Sequence, residues 1–232
     1  MRIVADENIP LIDQFFGDFG DIIRVPGRTM TAADVADADL LLVRSVTQVN
    51  EALLSGSKVK FVGTATIGTD HIDLDYVSES GIGFASAPGC NAQAVVDYVL
   101  SALSVVVDSR GIDFRDLSVG IVGVGNVGLL LRQRLEQMGL TVLACDPFKE
   151  EEDVGELTTL DKVLACDVVS LHTPMEKGGD HPTWHLIGEA QLQQMMTDAC
   201  LINAWRGAVV DNDALLKHLH ENPDFVAVLD VW

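Results

Sequence analysis

Cysteine is scarce in this 232-residue sequence: only Cys90, Cys145, Cys166 and Cys200, with no CxxC spacing. That excludes a dense disulfide framework. The start, MRIVADENIP, reads as a strand running into a turn and not as a secretory leader. Together these features predict a cytoplasmic protein with free thiols. Basic residues are also few. Fifteen Lys and Arg stand against 35 Asp and Glu, for a net charge of -20. Such a chain repels phosphate backbones and anionic headgroups, so neither nucleic acid nor membrane is an expected partner. Long apolar runs are missing too, since the best stretch, 94–107, is interrupted by Asp97 and Ser101. No His, Cys, Asp or Glu cluster has metal-ligand spacing, so no metal is expected. There is no internal repeat and no low-complexity tract. What remains is 48% hydrophobic residues, enough for a globular core and a length that suits two smaller domains. The charge sets a condition on any anionic ligand: local Arg side chains and backbone N–H groups must hold it against the global field.

Short apolar runs at 2–5, 21–25, 40–44, 60–64 and 82–85 read as strands, with helical spacing between them at 31–36 and 50–54. A second series has strands at 118–122, 141–145, 167–171, 199–203 and 225–230, with helices at 126–138 and 211–220. The polar segment 175–183 (MEKGGDHPT) reads as an exposed loop. Continuous apolar strands separated by helices mean a parallel sheet covered on both faces. The predicted fold is therefore α/β, with two doubly wound parallel-sheet domains. The N-terminal one, 1–90, is flavodoxin-like and the second, 91–232, is a Rossmann domain. The boundary falls at a long helix, 91–109, whose stripe of Val95, Val96, Val99, Leu100, Leu103, Val106 and Val107 predicts burial of more than half its surface. Such a helix joins two domains or packs against a partner subunit.

Gly123-Val124-Gly125-Asn126-Val127-Gly128 is the strongest local signal. GxGxxG alone is weak, but here it follows the strand SVGIV and opens a helix. Gly123 would permit the tight turn, Gly125 the approach of a pyrophosphate, and Gly128 the close packing of helix on sheet. The free N–H groups of the helix start suit phosphate. Asp146 ends the next strand, where a carboxylate accepts from ribose hydroxyls and repels a 2′-phosphate, so NAD is favoured over NADP. The alternative is a glycine turn in a purely structural βαβ unit beside a solvated Asp.

The glycine motif, Asp146, His172-Thr173-Pro174 and the run Asn203-Ala204-Trp205-Arg206-Gly207-Ala208-Val209-Val210-Asp211 together resemble the D-isomer-specific 2-hydroxyacid dehydrogenases. The resemblance covers the whole chain and sharpens at 43–47 (VRSVT), 63–73 (GTATIGTDHID) and 87–92 (APGCNA). It implies an NAD-dependent oxidation of a phosphorylated 2-hydroxy acid by a homodimer. Arg206 would be the catalytic arginine, holding the substrate carboxylate and polarising the C2 oxygen. Asn126 and Val127 would sit under the pyrophosphate, and Thr173 and Asp230 beside the nicotinamide. The substrate domain would be discontinuous, its first part being residues 1–90, with Ser45 and Thr66 touching substrate. It also implies a catalytic Glu and His beyond the strand ending in LDVW, so that Trp232 would cut the chain short of them. Trp205 departs from the small residue expected beside the arginine.

Arg44 and Ser45 end one predicted strand and Thr66 follows the next, so Arg44 would pair with a substrate phosphate while Ser45 and Thr66 donate to it or to substrate hydroxyls. The loop at Thr66-Ile67-Gly68 would offer N–H groups to the carboxylate. The plainer reading makes Arg44 a structural ion-pair residue. His71 reads as a helix-start residue, Asp70 and Asp73 as caps, His172 as a shaper of the cofactor pocket, and Cys90 as a small buried residue. A binding module that senses NAD without turnover stays open as a function of a different class.

Overall fold

Alternation of β-branched apolar runs with short capped helices organises the first 90 residues of the computed structural model, which describes residues 1–232. The first unit, Met1–Cys90, runs β1 (Arg2–Asp6), α1 (Ile12–Phe16), β2 (Asp21–Val25), α2 (Ala32–Val35), β3 (Leu40–Val43), α3 (Glu51–Leu54), β4 (Phe61–Thr64), α4 (Leu74–Glu79) and β5 (Gly83–Ala85). Its helices are too short to form on propensity alone. Local capping starts three of them: Thr31 and Asp34 form a capping box on α2, Asn50 accepts from Leu53 N on α3, and Asp73 accepts from Tyr76 N on α4. All strands are parallel, in the order β2-β1-β3-β4-β5. One face buries Val4, Leu41, Val43 and Val62 with Val35, Leu53 and Val77. The other packs Ile3, Ala5, Leu40 and Leu42 with Ile12 of α1, and beyond α1 it borders an apolar cavity of about 830 Å³ lined by Leu42, Phe61, Gly63 and Ala85.

The second unit, Asn91–Trp232, contains α5 (Ala92–Arg110), β6 (Ser118–Val122), α6 (Asn126–Gln137), β7 (Thr141–Cys145), α7 (Glu151–Val154), α8 (Leu160–Leu164), β8 (Val168–Leu171), α9 (Glu189–Leu192), β9 (Cys200–Asn203), α10 (Asn212–Glu221) and β10 (Val226–Leu229). Its sheet is also parallel, ordered β7-β6-β8-β9-β10. Val119, Ile121 and Val168 face α5 and α6, while Val169, Leu171 and Leu201 face the opposite cluster with Leu192 and Leu215. Residues 175–183 form no helix or strand.

Three expectations need correcting. The long helix is less buried than its stripe suggested: only Ala92, Val96, Val99, Leu103 and Val106 of its 19 residues are buried. A single sheet face receives the centre of the stripe, leaving Val95, Leu100 and Val107 half-covered, and Val105 is 69% exposed. By length and mean hydropathy (1.3) this helix meets the criteria for a membrane span, which the run 94–107 was expected to miss; its buried residues nevertheless pack on Val119 and Ile121 of β6. Cys90 is exposed, because it ends a turn instead of entering the core.

Candidate functional site

In the second unit the chain leaves β6 through Gly123, whose φ of +91° and N–H bond to Cys145 O (2.8 Å) set a turn that an L side chain would strain. A Cβ at 123 would also lie 2.7 Å from the His172 carbonyl oxygen, and one at Gly128 would overlap the carbonyl oxygen of Gly123. Gly125 is different. It precedes the first residue of α6, no side chain caps the helix there, and the space where its Cβ would project is empty. The first-turn N–H groups thus face an open approach. Asn126 is exposed, whereas the Val127 side chain is 4% exposed within the core, so Val127 can offer a ligand only its backbone.

A cleft of about 640 Å³ opens at this turn, lined by Gly123, Gly125, Asp146, Phe148, His172 and Thr173, among others. Asp146 Oδ2 accepts from Val124 N (2.8 Å) and Oδ1 from Phe148 N (3.0 Å). The carboxylate therefore ties the glycine turn to the end of β7, and each oxygen retains a lone pair for a ribose hydroxyl. His172 Nε2 lies 2.9 Å from Ser170 Oγ. Burial pushes this imidazole down to about 4, so it is neutral near pH 7. His172 Nδ1 and Thr173 Oγ1 are buried without a protein partner. Orphaned polar atoms in a cleft are what a polar ligand would satisfy, and the donor set fits a dinucleotide. Beside them Cys145 is no nucleophile, since burial and the neighbouring Asp146 push its thiol up to about 12. Phe148, Lys149 and His181 also line the cleft, with the Phe148 and His181 rings edge to face at 5.3 Å. Sequence reasoning missed all three, because they come from irregular segments with no periodic pattern. Their one signal was nearness to Asp146 and to the polar loop.

Arg206 sits in the turn after β9. Fully buried Asn203 shapes this turn: its Oδ1 accepts from Trp205 N (3.2 Å) and its Nδ2 donates to Arg206 O (2.9 Å). Arg206 Nη1 donates to Trp205 O (3.0 Å), and its guanidinium carbon lies 5.3 Å from the centre of the Trp205 ring. The unexpected tryptophan is thus a flat support for the guanidinium. Asp230 is exposed, and its N–H binds Asn203 O at 3.0 Å, which places it beside the same turn. The sequence pattern 203–211 gives Asn203 no role of its own; its two turn hydrogen bonds do.

The remaining candidates lie in the first unit. Arg44 and Ser45 are exposed just past β3, in a turn closed by Thr47 N to Arg44 O (3.1 Å). The ion pairs of this unit are Arg24–Asp13, Lys58–Asp37 and Lys60–Asp39, and Arg44 takes part in none of them. Past β4, Thr66 Oγ1 lies 2.6 Å from Thr64 Oγ1 and donates to Gly68 O (3.1 Å), and Thr64 Oγ1 lies 3.0 Å from His71 Nε2. His71 is therefore no helix-start residue. It is 5% exposed and bonds back to the end of β4, while Asp73 does the capping.

Residues 104–232 match the family described as D-isomer specific 2-hydroxyacid dehydrogenase, NAD binding domain. Over its whole length the chain is 57% identical to erythronate-4-phosphate dehydrogenases of Pseudomonas putida (strain W619) and Pseudomonas syringae pv. syringae (strain B728a). It spans 61% of the length of each. Among solved structures, D-lactate dehydrogenase from Aquifex aeolicus, complexed with NAD and lactic acid, matches all of this chain and 77% of its own at a TM-score of 0.84 and 26% identity. The NAD+-bound 3-phosphoglycerate dehydrogenase of Entamoeba histolytica shares the fold, matching all of this chain and 80% of its own at a TM-score of 0.84 and 23% identity. With its glycine turn, cleft and arginine turn carried on an NAD-binding domain of that description, the chain belongs to the D-isomer specific 2-hydroxyacid dehydrogenase family.

Proposed function

We propose that the protein is an erythronate-4-phosphate dehydrogenase: it oxidises 4-phospho-D-erythronate to the 2-oxo acid with NAD, a step of pyridoxine (vitamin B6) biosynthesis, as a cytoplasmic homodimer. The observation that carries this reading is the 57% identity, running through both units, to relatives of that name. Bound NAD would accept the hydride from C2 at C4 of its nicotinamide. The chain's own groups would position and polarise. The α6 start, with Gly123, Gly125, Asn126, Val127 and Gly128, would hold the pyrophosphate, Asp146 the ribose, and Thr173 and Asp230 the nicotinamide end. Arg206, steadied by Trp205 and the Asn203 turn, would grip the carboxylate and draw charge onto the C2 oxygen as the carbonyl forms. In the first unit, taken as substrate domain, Arg44 and Ser45 would take the phosphate, with Thr66 and Gly68 bordering the same ligand. The hydroxyl proton is assigned to a His–carboxylate pair outside residues 1–232. The outer face of α5, where Tyr98 and Val105 are exposed, is the surface assigned to the homodimer.

The test is steady-state kinetics in a protein of the relatives' full length. 4-Phospho-D-erythronate should be turned over with a higher kcat/KM than 3-phosphoglycerate. Arg206→Lys should lose about 2–4 kcal/mol of transition-state stabilisation, comparable to removing one oxyanion donor, while NADH affinity barely changes. Preference for 3-phosphoglycerate would overturn the substrate, and an unaffected Arg206→Lys would remove Arg206 from the reaction.

A further inference from the structure

We infer that His71, acting through Thr64, fixes the Thr66 hydroxyl as a hydrogen-bond acceptor, so that Thr66 reads a substrate hydroxyl and not a phosphate or carboxylate oxygen. The inference rests on the proposed substrate role of Thr66 and deepens it. Four groups form one chain of contacts: His71 Nε2 to Thr64 Oγ1 at 3.0 Å, Thr64 Oγ1 to Thr66 Oγ1 at 2.6 Å, and Thr66 Oγ1 to Gly68 O at 3.1 Å. Each hydroxyl has one proton, and the Gly68 carbonyl can only accept. If Thr66 gives its proton to Gly68 O, Thr64 must donate to Thr66, and His71 Nε2 must carry a proton to donate to Thr64. All three contacts are then hydrogen bonds. If the direction is reversed, with Nε2 accepting from Thr64 and Thr64 accepting from Thr66, the Gly68 carbonyl loses its donor. Only the forward direction supplies a proton to every one of the three contacts; the reverse leaves the 3.1 Å contact from Thr66 to Gly68 O without one. The forward direction therefore wins, with His71 protonated at Nε2.

The consequence falls on Thr66, the half-buried end of the relay. Its proton is committed, and its oxygen keeps one lone pair for a ligand. A C–O–H group can donate to that lone pair. A phosphate or ionised carboxylate oxygen brings only lone pairs and is repelled. This replaces the expectation that Thr66 donates to the phosphate, leaving that group to Arg44 and the exposed Ser45. With the carboxylate and C2 oxygen assigned to Arg206, the hydroxyl left for Thr66 is the one on C3. His71 is thus a positioning residue two hydrogen bonds removed from the ligand, and Thr66 the specificity-determining one.

Two measurements test this. In the ¹⁵N-labelled protein, long-range ring correlations should show His71 Nε2 protonated, and Thr64→Val should abolish that preference. An unprotonated Nε2 in the unsubstituted protein overturns the relay. In a full-length protein, KM is compared for 4-phospho-D-erythronate and its 3-deoxy analogue. Thr66→Val should raise KM about tenfold for the first and leave the second nearly unchanged, as expected for one lost hydrogen bond. His71→Phe should do the same with little change in kcat, while His71→Gln, whose amide can still donate, should restore selectivity. Equal losses for both ligands would overturn the reading role. If neither compound is a substrate, the proposed function fails, and the His71 tautomer still decides the relay separately.

Discussion

The sheets β2-β1-β3-β4-β5 and β7-β6-β8-β9-β10 have the same order: in each, the first strand lies between the second and the third. The crevice outside the first and third strands is where such sheets bind ligands, and there the units diverge. In the second unit, β6 runs into a glycine turn and a 12-residue helix whose first N–H groups are open. In the first, β1 ends in Asp6, fully buried with Oδ2 lacking a partner, and the following helix has 5 residues. A phosphate is welcome at the first place and opposed at the second, where a carboxyl group stands in its way and the short helix has little dipole. An anion held by the first unit would therefore need side chains from beyond its later strands, the role proposed for Arg44 and Ser45 past β3. One topology thus carries two different first-strand exits, and the difference lies in the few residues that leave the first strand.

That contrast can be broken most severely by acid. His172 is held neutral inside the second unit, with its imidazole pushed from 6.5 to about 4 by burial. The unfolded chain takes up a proton below 6.5 and the folded one does not until about 4, so the stabilising contribution is full above 6.5 and is lost as pH falls towards 4. At about 1.4 kcal/mol per unit this is roughly 3 kcal/mol at most. Denaturant melts of the protein and of His172→Gln should show a shallower pH dependence in the variant across that window. Identical slopes would mean that other groups govern acid stability.

Next in size is the glycine turn. Gly128→Ala drives a methyl group into the Gly123 carbonyl and should cost about 3 kcal/mol, at the upper end of overpacking effects. In the first unit Gly17, the residue that ends α1, has φ -59° and open space around a Cβ, so Gly17→Ala should be neutral or slightly stabilising. Thermal melts of the two variants give the comparison directly, and similar shifts would deny that the first helix of the two units is packed differently.

The side chain proposed to hold the phosphate in the first unit comes third. In a full-length protein, Arg44→Ala should weaken the phosphorylated four-carbon acid by about 1.5–3 kcal/mol, as for a charged hydrogen bond, and hardly affect the acid without its phosphate. Equal losses would make Arg44 structural. The smallest effect concerns Asp146. Calorimetric titration should favour NADH over NADPH, and Asp146→Ser should narrow the gap by about 1 kcal/mol, roughly a fivefold change in ratio. The effect stays modest because Asp146 also braces Val124 and Phe148, so removing it loosens the turn for either cofactor.

Local sequence determined the strands, the glycine turn, the caps and the parallel α/β class, because side-chain period, turn conformation and N-cap chemistry each act within a few residues. Thus 118–122, 126–138 and 141–145 were legible, and α6 ended one residue short of the expected span. Short helices such as α1, α8 and α9 were not legible; at 4 or 5 residues they carry too little periodicity and are held by packing. Most candidate binding residues could be named from motifs, yet their chemical states could not. That His172 is neutral follows from the low-dielectric surroundings that the fold builds around it. That Trp205 supports Arg206, and that Asn203 shapes their turn, follows from contacts across a bend. The direction inferred for Thr66, donating to Gly68 O and keeping a lone pair for a ligand, rests on three contacts which close only when His71 folds back to the end of β4. Sequence set which groups are present. Tertiary structure decided their protonation and direction, because desolvation and hydrogen-bond partners depend on neighbours that the chain brings together only when folded.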